Sequence, residues 1–276
     1  MSLVVFLAVL AAAAVHAGWN ALVKASPDKA TATRFVAAGA GVVGALALPF
    51  LDPPAVAALP WLALSAALQI GYYALLAAAY RTVDLTVAYP LMRGLAPMLV
   101  AIAGAALFGE ALGLAAWTGV AAISAGVVGL VFAGRARRVG LLFAAANAVV
   151  IAAYTIVDAH AARLSGAPVA YAAWEAIATA LPLVAWAWLR REATARRIEP
   201  RALAVGLVGG AATTASYAVA LWAMTRAPVG VVAALRETSI VFALALGRGV
   251  FGETIGRARL AAAAVVVAGV AALKLA

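Results

Sequence analysis

The residues of this chain that could bind or transfer charge are a few ionisable side chains inside long apolar segments. Arg93 lies in the segment 87–108, about 9 Å from its start at helical rise, and Arg236 lies in the segment 229–251. An intramembrane charge costs roughly 3 kcal/mol or more, so it usually faces protein groups or a watery cavity. A guanidinium binds a carboxylate or phosphate through two parallel hydrogen bonds. We predict that at least one arginine binds an anionic group, although either could instead reach the membrane interface or join helices.

Two carboxylates, Glu237 and Glu175, are candidate proton carriers. Glu237 follows Arg236 directly, and Glu175 lies in the apolar segment 169–189. Burial disfavours the charged form of a carboxylate, so a buried glutamate can bind and release a proton during a transport cycle. The sequence leaves a second role open for Glu237, which is to neutralise Arg93 or Arg236 across a helix interface.

Aromatic and amide side chains complete the predicted substrate site. Tyr89 precedes Arg93 by four residues, so a helix places both side chains on one face. Trp19, Asn20 and Tyr217 are the other predicted contacts of a substrate. Several other aromatic residues are typical of the belts that membrane proteins place at the bilayer interface.

Three further polar residues are left outside the predicted site. Asp158 and His160 lie close to the end of the apolar segment 139–159, and we expect them to be helix-end polar residues. His16 is interpreted as a histidine whose hydrogen bonds are satisfied within the protein. The chain has no cysteine and two histidines, so a thiolate or histidine-rich metal site is not expected.

Catalysis and cofactor binding have little support in the sequence. No glycine-rich phosphate loop followed by Lys-Ser or Lys-Thr is present, so direct use of ATP is not supported. No pair of histidine and acidic residues has metal-ligand spacing, and no serine-centred nucleophile motif occurs. We therefore predict no catalytic residue, no metal ion and no cofactor.

Membrane-spanning helices must position these residues. Hydrophobic residues make up 67% of the 276 residues and charged residues 11%, and the mean hydropathy is +1.08. A bilayer core about 30 Å thick requires roughly 20 apolar residues per helix, and the chain contains ten such segments. We predict an all-α integral membrane protein, whose first span is a retained helix because no basic residue precedes it. The predicted spans are 3–23, 31–50, 60–79, 87–108, 113–132, 139–159, 169–189, 203–224, 229–251 and 257–275.

The chain also contains an internal repeat. The turn that begins Phe108-Gly109-Glu110 returns 143 positions later, from 108 to 251, as Phe251-Gly252-Glu253, and the same offset pairs Arg93 with Arg236. Each half holds five predicted spans, so the second half enters the membrane from the opposite face. We predict two inverted five-helix repeats, 1–134 and 135–276, which together form one membrane domain. In secondary transporters this architecture places the substrate site near the midplane, between the repeats.

Proline and glutamate residues predict a kink in the fourth span and the structure of the two repeated turns. Pro97 cannot donate to the carbonyl of Arg93, so we predict a kink beside Arg93. The ninth span contains no proline, so the symmetry is expected to break there. Glu110 and Glu253 each stand in a turn before a helix, and we interpret them as structural residues that bind free helix amides.

Basic residues predict the orientation of the protein. Short loops rich in lysine and arginine remain in the cytoplasm, and here one side of the spans receives nearly all of them. Both termini are therefore predicted outside the cytoplasm. The net charge of +10 follows from this distribution, so anionic lipids rather than nucleic acid are the expected partners. The alanine-rich, arginine-rich composition suggests a GC-rich bacterium, and hence its inner (plasma) membrane.

These features together resemble the drug/metabolite transporter superfamily and, within it, the EamA-type ten-helix carriers. The resemblance is carried by the duplicated Phe-Gly-Glu turn, by Trp19-Asn20 with Lys24 at the end of the first span, and by Arg34 at the start of the second. It covers nearly the whole chain. It implies a ten-helix bundle that moves small metabolites, often amino acids or related compounds and frequently outward.

The sequence therefore predicts a secondary transporter with a small-molecule substrate. We expect an exporter of small zwitterionic or anionic metabolites such as amino acids, working by alternating access and driven by a proton or solute gradient. One alternative is a carrier of strongly anionic phosphorylated or phosphonate solutes that uses both arginines. A membrane enzyme and a non-transporting scaffold are weaker alternatives. One chain could complete the bundle, so both a monomer and a homodimer remain open.

Overall fold

The computed structural model describes residues 1–81, 85–130, 138–189 and 200–275, and helices account for most of these residues. The predicted boundary at 134/135 and the predicted end of the fifth span at 132 lie outside the described residues. The helices are α1 (Leu3–Lys24), α2 (Lys29–Ala47), α3 (Leu59–Tyr80), α4 (Leu85–Phe108), α5 (Leu114–Gly129), α6 (Arg138–Ser165), α7 (Pro168–Leu189), α8 (Pro200–Met224), α9 (Val229–Arg236), α10 (Ser239–Phe251) and α11 (Arg257–Leu275), with short 3₁₀ helices at Leu48–Phe50 and Val56–Ala58.

The apolar segments of the sequence become the long helices of the structure. In the described part of the chain, nine helical segments are long and apolar enough to cross a membrane, and α5 is a shorter apolar helix. Large apolar side chains cover the outside of the bundle, including Leu114 and Leu275, which are 81% and 86% exposed. Soluble proteins rarely expose apolar surface on this scale, whereas lipid-facing helices require it. The all-α, multi-pass membrane fold is confirmed.

The ninth predicted span consists of two helices with a turn between them. α9 ends at Arg236, Glu237 and Thr238 form the turn, and α10 begins at Ser239. The Thr238 hydroxyl donates to the carbonyl of Leu235 at 2.7 Å, which is a local hydrogen bond of the kind that competes with helical pairing. α4 is a single helix that contains both Pro90 and Pro97. The helix break therefore occurs in the span that lacks proline.

α6 is longer than its apolar segment suggested. It continues through Ser165 rather than ending near residue 159. Gly166 follows with a φ of +65°, a left-handed conformation that favours glycine at a helix C-terminus, and Pro168 starts α7. The true end of α6 is thus set by this glycine, and Asp158 lies inside the helix.

Helices at corresponding positions in the two predicted halves contact each other. α2 packs against α7, α4 against α9, and α5 against α11. Other contacts occur in matching pairs, since α3 packs on α6 as α8 packs on α1, and α4 packs on α6 as α10 packs on α1. The half-helix α9 lies inside this arrangement, and residues 229–235 are all buried.

Glycine permits the close contact between α5 and α11. A Cβ atom added at Gly119 would lie 2.9 Å from the carbonyl oxygen of Gly269, and one added at Gly269 would lie 2.8 Å from the oxygen of Gly119. Such distances are too short for ordinary packing, so a larger residue at either position would separate the helices. Small residues serve this purpose at helix interfaces in membranes, where apolar burial alone gives little drive for association.

Candidate functional site

The structure pairs Arg93 with Glu237. Arg93 lies on α4 and Glu237 in the turn between α9 and α10. Nη2 of Arg93 lies 2.7 Å from Oε1 of Glu237, and Nε donates to Oε2 at 3.1 Å. Two parallel contacts of this kind are the strongest arrangement between a guanidinium and a carboxylate. The structure therefore contains the ion pair that the alternative role of Glu237, neutralising an arginine, requires. Proton transfer by Glu237 stays a prediction.

Arg236 has a different environment, although it is the repeat mate of Arg93. Its guanidinium carbon lies 5.1 Å from the centre of the Tyr217 ring, which is a cation–π contact between α9 and α8. Among the described residues, no carboxylate forms an ion pair with Arg236. Its guanidinium donors are therefore not occupied by a counter-charge as those of Arg93 are.

Asp158 lies inside α6 and not at the helix end that the sequence predicts. It was expected at a helix end, yet it is fully buried because α6 continues to Ser165. The hydroxyl of Tyr171 donates to its Oδ1 at 2.8 Å, and the hydroxyl of Tyr217 donates to Oδ2. Tyr217 thus contacts Arg236 through its ring and Asp158 through its hydroxyl. The sequence did hold one signal for this placement, namely the Gly166 that ends the helix.

Glu175 is the second buried carboxylate without a cationic partner among the described residues. It lies on α7, and its Oε1 accepts a hydrogen bond from the Thr179 hydroxyl at 2.7 Å and another from the Gln69 amide. Gln69 lies on α3, where it also donates to the Ser65 hydroxyl at 3.4 Å, so its bond to Glu175 connects α3 to α7. Asp158 lies within electrostatic range of Glu175. Both carboxylates therefore accept hydrogen bonds from uncharged donors, whereas Glu237 is paired with a charged guanidinium.

The predicted contacts from α1 bind each other. The indole Nε1 of Trp19 donates to Nδ1 of His16 at 3.3 Å, and the amide of Asn20 donates to the His16 carbonyl at 2.8 Å. His16 therefore has a hydrogen-bond partner, as its interpretation required. His16 also lies within electrostatic range of Arg93 and Arg236, so this part of α1 is close to the charged centre. Trp19 and Asn20 make no hydrogen bond to either arginine in the described structure.

Three tyrosines lie near Arg93. Arg93 is within electrostatic range of Tyr89, as expected for two residues one helical turn apart, and also of Tyr72 and Tyr154. The rings of Tyr72 and Tyr154 lie 6.2 Å apart, edge to face. The Arg93 side chain keeps 15% of its exposure although it lies within a membrane-spanning helix. Tyr72 and Tyr154 were not among the predicted contacts, since their aromatic rings alone did not separate them from interfacial residues.

Taken together, the central residues form a cluster of opposite charges. α4 and α9 carry Arg93 and Arg236, and α6 and α7 carry Asp158 and Glu175, while Tyr217 of α8 contacts both Arg236 and Asp158. Groups of three or more histidine or acidic residues arranged to hold a metal ion do not occur in the described part of the chain. Two guanidinium groups and three carboxylates therefore lie close together in the described structure.

Comparison with known proteins gives a family and a fold. Residues 138–275 match the model of the EamA-like transporter family, and this range is almost the whole predicted second half. A solved crystal structure of a protein superposes with a TM-score of 0.75 at 24% identity, covering 99% of this chain and 96% of the other. That similarity concerns the fold alone. No curated protein matches the chain.

Proposed function

Because the chain belongs to the EamA-like transporter family, we propose that it is a secondary transporter of small zwitterionic metabolites such as amino acids. We further propose that it exports them by alternating access, driven by a proton gradient. The proposal includes no catalytic residue and no cofactor. The membrane fold and the family support transport in general, and the charges of the central site support the narrower substrate class.

The observation that carries the substrate class is the unequal pairing of the two arginines. Glu237 occupies Arg93 through two contacts, so Arg236 is the guanidinium available for a substrate carboxylate. Asp158, which Tyr217 connects to Arg236, could attract an ammonium group together with Glu175. A zwitterion offers both charges, with its carboxylate at Arg236 and its ammonium group towards Asp158.

The same charges make a strongly anionic substrate less suitable. The central cluster contains two arginines and three carboxylates, Asp158, Glu175 and Glu237. A phosphorylated or phosphonate solute would bring two negative charges to a cluster without an excess of positive charge. Such a solute would require both arginines, and Arg93 would first have to release Glu237 at the cost of a buried, unpaired carboxylate.

Proton coupling is assigned to Glu175 together with Asp158. Neutral donors hold both carboxylates, so each can become protonated without breaking an ion pair. Glu237 is less suited to this role because the bidentate contact with Arg93 stabilises its charged form. Protonation of the Glu175–Asp158 group would release a bound ammonium group, which links substrate release to the proton gradient.

Alternating access is proposed to arise from two inverted repeats, 1–134 and 135–276. The matched helix contacts support it, since α2–α7, α4–α9 and α5–α11 join corresponding helices. The duplicated turn supports it as well, because Gly109 and Gly252 have φ angles of 65° and 64°. We propose a bacterial inner-membrane location with both termini outside the cytoplasm, a lipid environment, and a monomer or homodimer.

Counterflow in proteoliposomes would test this function. The labelled pool should contain amino acids, the matching amines, the matching acids without an amino group, and phosphorylated solutes. We expect exchange of amino acids, which Arg236→Gln abolishes while the protein stays folded. Exchange of phosphorylated solutes alone would favour the carrier of strongly anionic solutes. If acids without an amino group exchanged as fast as amino acids, Asp158 would not bind the ammonium group of the substrate.

A further inference from the structure

The turn at Glu110 follows α4 and contacts two other helices, α6 and α9. Nη2 of Arg163, near the end of α6, lies 2.5 Å from Oε1 of Glu110. The guanidinium carbon of Arg163 also lies 4.8 Å from the centre of the Phe108 ring. Oε2 of Glu110 accepts a hydrogen bond from the amide of Val229 at 2.9 Å, at the start of α9. We refer to Phe108, Glu110 and Arg163 as the Glu110 clamp.

The turn at Glu253 repeats this arrangement with different residues. Lys24, the last residue of α1, forms an ion pair with Glu253, and its Nζ lies 5.0 Å from the centre of the Phe251 ring. The two backbones match as well, since the amide of Glu110 donates to the Gly104 carbonyl as that of Glu253 donates to Gly247. We refer to Phe251, Glu253 and Lys24 as the Glu253 clamp.

The two clamps lie at opposite ends of the bundle. The ninth span starts at Val229, which binds Glu110, and ends at Phe251, beside Glu253. The interpretation of both glutamates as local helix caps needs correction for Glu110. Its carboxylate binds an amide of α9 rather than of α5, the helix that follows it, and Gly113 at the start of α5 has no side-chain cap. Glu110 therefore connects elements that are far apart in the chain.

Each clamp joins one predicted half to the other. Lys24 belongs to the first half and Glu253 to the second, whereas Arg163 belongs to the second and Glu110 to the first. A rocking motion of one half against the other would separate the partners at one end while keeping them together at the other. A surface cavity borders each clamp, one lined by Arg163 and the other by Lys24 and Glu253.

We propose that the two clamps are the alternating gates of this transporter, with Glu110 and Glu253 as the residues that hold each end closed. The inference rests on the proposed transport function. It assigns the Glu110 clamp a further role, because its bond to Val229 also holds the N-terminus of the half-helix that carries Arg236. Opening of the Glu110 end thereby frees α9, whereas opening of the Glu253 end leaves that bond in place.

The two clamps differ in burial, and this difference indicates which end opens more readily. The side chains of Arg163 and Glu110 are 32% and 10% exposed, whereas those of Lys24 and Glu253 are 47% and 38% exposed. Ion pairs weaken as water surrounds them. The Glu253 end is therefore the end that opens more readily, and the Glu110 end is the more firmly closed.

Distance measurements between spin labels test the gates without knowledge of the substrate. The chain contains no cysteine, so labels can be attached to introduced pairs alone. Ala111→Cys with Leu164→Cys spans the Glu110 end, and Ala25→Cys with Thr254→Cys spans the Glu253 end; all four positions are exposed and outside the clamps. Glu110→Gln and Glu253→Gln are then introduced into each labelled pair.

We expect opposite effects of the two substitutions. Glu110→Gln should add a longer distance at its own end and increase the closed population at the other, and Glu253→Gln should do the reverse. Exchanging the charges of the simpler pair, by Lys24→Glu with Glu253→Lys, should restore the short distance at the Glu253 end. Arg226→Gln and Arg257→Gln are the matched controls at the two ends and should change neither distance.

Three results would contradict the gates. They are unchanged distances in both variants, opening of both ends together, and an equal effect of the control substitutions. The result is also independent of the transport assay. Reciprocal distance changes in a protein that exchanges no solute would reject the proposed substrates while retaining the gates, and exchange without distance changes would reject the gates alone.

Discussion

Arg93 and Arg236 occupy equivalent positions in the repeat but have different partners. Arg93 makes a bidentate contact with Glu237, and Arg236 stacks on Tyr217. Glu237 lies in the turn between α9 and α10, and its carboxylate contacts Arg93 of α4. The sequence is not symmetric here, since the repeat mate of Glu237 is Gly94, and of the two arginines only Arg93 has a carboxylate partner among the described ion pairs. The predicted repeat gives the two arginines matching positions in the sequence, and their described contacts differ.

Substitution of each arginine by glutamine should give the largest contrast. Arg93→Gln leaves Glu237 buried and unpaired, which should lower the free energy of unfolding by about 3 to 5 kcal/mol. Arg236→Gln removes a cation–π contact worth about 1 kcal/mol, so the protein should remain folded while amino acid exchange is lost. Thermal unfolding in detergent and counterflow measure the two effects.

The double variant Arg93→Gln with Glu237→Gln is the control for this contrast. Removing both charges should recover most of the stability that Arg93→Gln loses, since the cost comes from the unpaired carboxylate. If Arg93→Gln instead retained stability and lost exchange, whereas Arg236→Gln retained exchange, the assigned roles would be reversed.

Substitutions of the carboxylates should also have two different effects, on proton coupling at Glu175 and Asp158 and on stability at Glu237. Glu175→Gln and Asp158→Asn should abolish accumulation against a gradient in response to a pH difference, because the exchangeable proton is lost. Glu237→Gln should mainly lower stability, because it leaves Arg93 without its partner. Uphill transport with an imposed pH gradient, compared with counterflow at equal pH, distinguishes coupling from binding. If both the Glu175→Gln and Asp158→Asn variants still accumulated substrate in response to the pH gradient, a different residue would have to carry the proton.

Tyr217 offers a smaller and more selective test, with Tyr171 as the comparison for a hydroxyl that bonds Asp158 without a ring contact to Arg236. Both hydroxyls donate to Asp158, but only the ring of Tyr217 contacts Arg236. Loss of a hydrogen bond to a charged group costs about 1.5 to 3 kcal/mol, so Tyr217→Phe should weaken apparent substrate affinity roughly tenfold or more. Tyr171→Phe should have a similar effect through Asp158, whereas Tyr217→Leu should add the loss of the ring. Equal affinities of Tyr217→Phe and Tyr217→Leu would show that the ring contact is unimportant.

The smallest effect is expected at the exposed ion pair of Lys24 and Glu253, which contrasts with the buried pair of Arg93 and Glu237. The hydrogen bond from Lys24 lowers the pKa of Glu253 below its usual value. This contribution to stability is therefore present above the pKa of an unfolded glutamate, about 4.3, and disappears as the pH falls through the folded value. Thermal unfolding between neutral and acidic pH should differ slightly between the wild type and Glu253→Gln, and a constant difference across this range would contradict the assignment.

Prediction from the sequence worked best for the helices. The apolar segments defined the spans, and 257–275 agrees with α11 at both ends. Prediction was weaker where a helix ends without a change in hydropathy. Asp158 looked terminal because polar residues follow it, although α6 continues to Gly166. The break at Glu237 was also missed, since no proline or glycine marks it.

Several residues of the predicted site are close together in the structure, and their roles in binding and proton coupling stay predictions. Arg93, Arg236, Tyr217, Glu237 and Glu175 all lie in the central region of the bundle. Trp19 and Asn20 are close to it but bind His16. Residue type and depth identified the candidates, whereas hydrogen-bond partners depended on rotamers and on helix contacts between distant parts of the chain.

The sequence by itself determined the membrane class, the helical spans and the duplicated turn, because length, hydropathy and repetition are properties of local segments. The tertiary structure decided that Glu237 binds Arg93, that Asp158 is buried between two tyrosines, and that each turn glutamate binds a helix of the other predicted half. These contacts join residues far apart in the chain, and Arg93 and Glu237 are separated by 144 positions. Contacts of this kind depend on helix packing and on where a helix breaks, which hydropathy and spacing do not specify.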